Sequence, residues 1–325
     1  LATGDRAATT IERVGSTRPA PGVVIEGAPP RQERTEAFRF ASGRIVEYWS
    51  ALDDTAFARS LPPLSMPLPA GMKQAALVRF ALPPGAVLAD LSEPGPELLL
   101  PETGAVTVAV DESAELARAG AIAEGWRPAT AKQELTLGPG DALLVPAGAH
   151  RAIRNETSAG ATMLGLLIYS LADISGVRHP PPLTALYATT PYGRSVPIDG
   201  ATAMLLERGT DGCAACRDGT LRVVWAPLAP GQHLAVEPNA GLSFLATEAG
   251  AVATGDRRFG PATGTLDAPT AGETAEARVV AAGAAVAVPS GGSVSFATAA
   301  NAGASLLLID IGMPVPDAAI SPSGA

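Results

Sequence analysis

The sequence predicts a mainly β protein: two β-barrels or jelly rolls in tandem, preceded by a small α+β segment. The first observation behind this is an internal repeat. Residues 84–106, PGAVLADLSEPGPELLLPETGAV, align without a gap on residues 230–252, PGQHLAVEPNAGLSFLATEAGAV, with ten of 23 positions identical. The second is a matching repeat further on, where GDALLVPAGAHRAIRNETSAGATML (140–164) matches GAAVAVPSGGSVSFATAANAGASLL (283–307). Apolar strands separated by small-residue turns, repeated at this length, indicate two copies of one β unit. The third is composition: 35 Gly and 30 Pro spread through the chain punctuate turns, while 47 % hydrophobic residues supply globular cores.

Taken in order, residues 1–62 open with DRAATTIERVG, QERTEAFRF and RIVEYWSAL, three alternating stretches that read as half-buried strands. DDTAFARSL then reads as a short helix with Asp53 or Asp54 as its N-cap. PLSMPLPA is a Pro-rich linker at 63–70. The first barrel spans 71–171, with strands in AALVRFAL, ELLLP, AVTVAVD, QELTLG, DALLVP, RAIRN and TMLGLLIYS; ESAELARAGAIAEGWRPATA interrupts them as an insertion. A connector follows at 172–219, the second barrel covers 220–313, and 314–325 is a tail that frays.

Net charge is −9, and Lys73 and Lys132 are the only lysines. Without a basic cluster, nucleic acid and anionic membranes are not expected partners, because phosphate recognition needs dense positive charge. No apolar stretch reaches the ~20 residues that span a bilayer. The chain begins at Leu1 without a signal-peptide pattern, which implies that an upstream piece has been removed. Its two cysteines, Cys213 and Cys216, form one CxxC between Gly212 and Gly219. A local disulfide is the favoured reading; free thiols and a redox or metal role stay open. The absent start, the scarcity of lysine and this pair lean towards a secreted, extracellular protein.

Pro84-Gly85, Glu97 and Gly104, with Gly140, Pro146, Gly148, His150 and Asn155, resemble the two paired motifs of the cupin family, and the repeat makes the chain resemble a bicupin. The family pattern implies a metal held by three His and one Glu. Here the first two His positions fall on Leu91 and Glu93. Glu97 keeps the Glu, and the third His position falls on Arg151 with His150 one residue early. In the second copy the equivalents are Glu237, Asn239, Ser243 and Ser293, so no imidazole remains. The resemblance therefore implies barrels kept after their metal ligands were largely lost. The expected cofactor is none; the alternative is one divalent transition metal held by Glu93, Glu97 and His150 in barrel 1, since a metal needs three or four well-placed donors. Arg151 and Arg154 flank the same mouth and complete the candidate ligand-binding set Glu93, Glu97, His150, Arg151 and Arg154. Glu102 and Glu248, present in both copies, read as turn residues.

The run from GDRAATTIERVG through FRFASGRIVEYW to the acidic pair resembles the C-terminal half of a SnoaL-like domain. That family uses an acidic residue in this region as general acid/base, here Asp53 or Asp54; a helix N-cap is the favoured role, because no enclosing first half is present to tune a carboxylate. A half-domain with an open sheet edge invites self-association. No GxSxG, P-loop or dinucleotide fingerprint occurs. The functional expectation is a non-catalytic bicupin acting as a small-molecule-binding or structural, assembly-forming protein. The alternative is an enzyme, either a metal-dependent cupin or a SnoaL-like cyclase/isomerase.

Overall fold

The computed structural model describes residues 61–69, 71, 74–119, 124–170, 191–210, 218–231, 234, 241–254, 279–288, 296–299 and 301–312 with side chains. It adds the backbone of strands Ala2–Thr3, Arg6–Arg13, Val23–Glu26, Gln32–Ala41, Arg44–Leu52 and Arg59–Ser60, and of the remaining strand residues next to the ranges above. The expected helix from Asp53, the CxxC, and Glu237, Asn239 and Ser293 lie outside the described residues.

The repeat folds twice into the same pair of antiparallel sheets. In the first copy the large sheet runs Ala142–Val145, Glu97–Thr103, Ala161–Ser170, Lys73–Leu82, and the small one Glu134–Leu137, Val106–Val110, His150–Arg154, Val87–Ser92. In the second copy the large sheet runs Ala285–Val288, Leu242–Ala249, Ala304–Gly312, Asp218–Leu228. Its small sheet runs Arg278–Ala281, Ala251–Thr254, Val294–Thr298, His233–Val236. The strand order is the same in both copies, so the chain is mainly β with two tandem double-sheeted barrels of jelly-roll type.

Each large sheet is extended by the segment that precedes the other barrel. Lys73–Leu82 pairs with Ala201–Asp211, just ahead of the second copy. Asp218–Leu228 pairs with Arg59–Ser60 and Leu64–Pro67, just ahead of the first. The exchange is reciprocal, and it removes an open edge from each sheet. The insertion after Val110 forms Ala114–Ala117 and Arg127–Ala129, which lengthen the large sheet of barrel 1 beyond Ala142–Val145. The N-terminal segment forms a four-stranded sheet, Ala2–Thr3, Arg6–Arg13, Gln32–Ala41, Arg44–Leu52, while Val23–Glu26 leaves it to pair with His233–Val236 of barrel 2.

Three cores follow from the layering. One fills barrel 1 with Val78, Phe80, Leu88, Leu99, Val108 and Ile153, and one fills barrel 2 with Leu228, Leu234, Leu245, Phe296 and Leu308. The third lies between the barrels, where the outer faces of the two large sheets meet through Leu98, Leu100, Leu166, Ile168, Phe244, Leu307 and Ile309. Strands buried on both faces read as continuous apolar runs instead of alternating ones. That is why ELLLP, TMLGLLIYS and SLLLIDIG carry so few polar residues. Arg79 pins this interface: its Nε and Nη2 donate to the two oxygens of Glu102 at 2.6 Å each, and its Nη1 donates to the carbonyl of Gly283 in barrel 2. Glu102, expected as a turn residue, is thus the anchor of an inter-barrel clamp. Glu248 accepts from Ser305 Oγ at 2.8 Å.

Candidate functional site

Strand alternation decides what faces the inside of barrel 1. Arg151 and Ile153 lie on the inner face of His150–Arg154, and His150 and Arg154 on the outer one. Arg151 pairs across the sheet with Leu91 and with Val110, both buried. The partner strand bulges between the pairings of Arg151 and Ile153, and Asp90 in that bulge adopts a positive φ of 54°. The turn ahead of the strand is fixed from both sides: Gly148, at φ 80°, donates its N–H to the Glu93 carbonyl at 2.8 Å, and Ser92 Oγ donates to the Gly148 carbonyl at 3.0 Å. These bonds bring the backbones that carry Arg151 and Glu93 together.

The result is a buried cluster of three charged side chains. Nη2 of Arg151 forms an ion pair with Glu97 Oε2 and donates to Glu93 Oε1 at 3.5 Å. The exposures of the Arg151, Glu97 and Glu93 side chains are 1 %, 1 % and 2 %. Glu97 pairs in the ladder with Leu167 and Val145, inside the barrel. Gly165 makes the room: a Cβ there would sit 2.8 Å from the Phe80 ring and 3.2 Å from Glu97 Oε1. Burial pushes the Glu97 carboxyl above its ordinary range, and the Arg151 guanidinium pulls it back only in part. Along the same wall Tyr169 donates to Gln74 Oε1 at 3.0 Å, and burial raises its hydroxyl to about 12.

His150 does not join this cluster. Its ring is 57 % exposed and Nδ1 lies 2.7 Å from Asp90 Oδ1, while its backbone N–H donates to Asp111 Oδ1 at 2.7 Å. The set Glu93, Glu97, His150 is therefore corrected to Glu93, Glu97, Arg151, because adjacent residues of a strand point to opposite faces. Arg154, also on the outer face, pairs with Glu134 and Glu156 instead of lining the inside. Asn155, a motif residue, is a buried brace: its amide donates to the carbonyls of Leu82 and Ala159, both at 2.8 Å, and its Oδ1 accepts from Thr157.

A divalent metal does not fit these residues. A guanidinium has no lone pair to donate, and its positive charge already lies against the two carboxylates a metal would use. Among the described residues no group of three or more His, Cys, Asp or Glu side chains is placed to hold an ion.

Barrel 2 carries a different polar row at the same level. Ser243 stands at the position of Glu97 in the repeat, and its Oγ donates to Asp310 Oδ1 at 3.0 Å; Arg222 Nη1 lies 3.8 Å from Asp310 Oδ2. Ser243, Asp310 and Arg222 are ladder neighbours on three consecutive strands. Sequence reasoning missed Asp310 and Arg222; the available signal was a lone acid inside SLLLIDIG. Burial raises the Asp310 carboxyl, against the pull of the Ser243 hydrogen bond and Arg222. A raised folded-state value gives stability that is complete below the ordinary value of 3.8 and is lost as pH climbs through the folded value. Asp310→Asn should therefore gain stability relative to the native protein between about pH 4 and pH 7, read by urea unfolding. A difference independent of pH would contradict this.

Comparison with known proteins finds no family model that matches and no curated protein that matches. Among solved structures, the chain is similar to AerE from Microcystis aeruginosa, with 10 % identity, 93 % of this chain and 97 % of that one covered, and a TM-score of 0.38. It is also similar to a cupin 2 conserved barrel domain protein from Leptotrichia buccalis, with 12 % identity, coverage of 77 % and 89 %, and a TM-score of 0.35. A third is pumpkin seed globulin, with 11 % identity, coverage of 78 % and 85 %, and a TM-score of 0.43.

Proposed function

We propose that this chain is a non-catalytic bicupin whose barrels serve binding or structural roles, with metal chemistry given up. One observation carries the reading: the Arg151 guanidinium supplies, from inside the chain, the positive charge that Glu93 and Glu97 face. A fixed internal cation already lies against the carboxylates a metal would need and leaves no open coordination position there. The reading predicts a metal-free protein. Elemental analysis of chain purified without chelators, from medium supplied with iron, manganese and zinc, should find far less than one metal per chain. A stoichiometric metal that Glu97→Gln removes would overturn it in favour of the metal-dependent alternative.

The assembly form of this proposal draws on the N-terminal sheet, in which Arg44–Leu52 is the last strand among the described residues. A half SnoaL-like domain completed by a second copy would leave no such edge. Light scattering then returns a multiple of the chain mass, and a monomer at all concentrations removes this form of the reading.

A further inference from the structure

The two copies of the repeat treat one strand edge differently. Val87–Ser92 ends the small sheet of barrel 1, and the repeat sets it against His233–Val236 in the small sheet of barrel 2. Both strands start in one register: Leu88 lies opposite Ile153, and Leu234 opposite Phe296. Their outer edges differ. Val23–Glu26 covers His233–Val236, with Ile25 opposite Leu234 and Val23 opposite Val236. Among the described residues no strand covers Val87–Ser92; Val87 is 43 % exposed, and Ala89 is exposed too. The covered strand runs one residue against one along Val294–Thr298. In the open strand Ala89 and Asp90 together face the single residue Ala152, which makes the bulge. Where barrel 2 has Val236, the open strand has Asp90, a side chain 84 % exposed on a backbone with φ 54°.

We propose that Asp90, tethered by His150, guards this edge: it keeps Val87–Ser92 from adding a strand of a second copy of the chain. Barrel 2 meets the same hazard by covering its strand with Val23–Glu26. An open edge presents unpaired N–H and C=O groups to other chains, and bulges and charges are the devices that blunt it. Here the extra residue of the bulge and the charge are one and the same. An incoming strand keeps register only over Val87–Ala89 before the chain turns away, and it must strip water from the Asp90 carboxylate. Left-handed backbone at a residue other than glycine persists where its surroundings hold it. The His150 ring does so, with Nδ1 at 2.7 Å from Asp90 Oδ1. His150 is itself fixed, since its N–H donates to Asp111 Oδ1 at 2.7 Å and its carbonyl accepts from the Asp111 N–H at 2.9 Å. The outward-facing His150 thus has a role that does not depend on metal.

The test is the mass of the full chain by light scattering, read against the native protein at the same concentration. Deleting Asp90 restores the one-against-one register of barrel 2 and removes the charge, so the mass should rise about twofold or more. Adding Val87→Lys to the deletion puts a charge back on the exposed edge and should return the native mass, which also shows that the shortened chain folds. His150→Ala keeps the carboxylate but unties it, and should give a mass between the two. A deletion that keeps the native mass overturns the guard. So does association that Val87→Lys fails to reverse, because the contact then lies elsewhere. A His150→Ala chain with the native mass overturns the tether. Every variant is compared with the native chain, so self-association through the N-terminal sheet, present or absent, leaves the comparison intact.

Discussion

Replacing Arg151 by Met should lower the stability of the protein by about 3–5 kcal/mol, the cost of removing one partner from a buried ion pair. Two carboxylates would remain inside barrel 1 with exposures of 1 % and 2 %, without the guanidinium that now lies against them. The loss should grow with pH. Glu97 is already held above its ordinary value by burial, and Arg151 is the group that lowers it. Without the guanidinium the folded-state value rises further, so the variant is penalised least below the unfolded value of 4.5 and progressively more as pH rises through the folded one. A combined Glu93→Met, Glu97→Leu, Arg151→Met variant separates pairing from packing. Buried ion clusters replaced as a whole by apolar groups are often neutral or stabilising, so the triple variant should recover most of the loss. Urea unfolding across about pH 4 to pH 8 measures both. A single variant that costs less than about 1 kcal/mol would mean that the three groups do not act as a charge cluster.

The part of this architecture that was legible in the sequence is the part encoded locally. The repeat placed Gly95 on Gly241 and Glu102 on Glu248, and the two copies fold with one strand order because equivalent residues pair equivalently: Leu99 with Gly165, and Leu245 with Leu308. The candidate site was legible to within one residue. Glu93, Glu97 and Arg151 were all singled out, but the inside of a strand changes with every step. His150, chemically the more attractive ligand, therefore faces water, and Arg151 faces Glu97. What decided it was the register of His150–Arg154 against Val106–Val110, a tertiary property. The reciprocal exchange of flanking strands was not legible for the same reason. Leu64–Pro67 and Ala201–Asp211 look like connector sequence, and their partners lie more than a hundred residues away. Asp310 was hidden differently: in a strand buried on both faces, one acid has no alternating pattern to mark its side.

The repeat also fixes two positions where no side chain can be added, and these give the sharpest structural test. A Cβ on Gly95 would fall well inside contact distance of the Ile168 carbonyl oxygen, and one on Gly241 would do the same at Ile311. Neither glycine has a positive φ, so the constraint is steric: the chain crosses the end of the neighbouring strand too closely for a methyl group. In barrel 1 this crossing is next to the hydrogen bond from Ile168 N–H to the Pro96 carbonyl at 3.0 Å, and it leads directly into Glu97. Backbone cannot rotate away as a side chain can, so Gly95→Ala and Gly241→Ala should each cost about 3 kcal/mol or more. Gly85 and Gly231 provide the comparison. They have φ of 76° and 74° with nothing within 4 Å of an added Cβ at either, so alanine there meets only the left-handed backbone penalty of about 1–2 kcal/mol. Both pairs are identities of the repeat, yet they are kept for different reasons, and the order of the four stabilities separates them. If Gly95→Ala proved as mild as Gly85→Ala, the close crossing would be absent, and with it the path that sets Glu97 against Arg151. The charged cluster of barrel 1 would then have to be placed by some other contact.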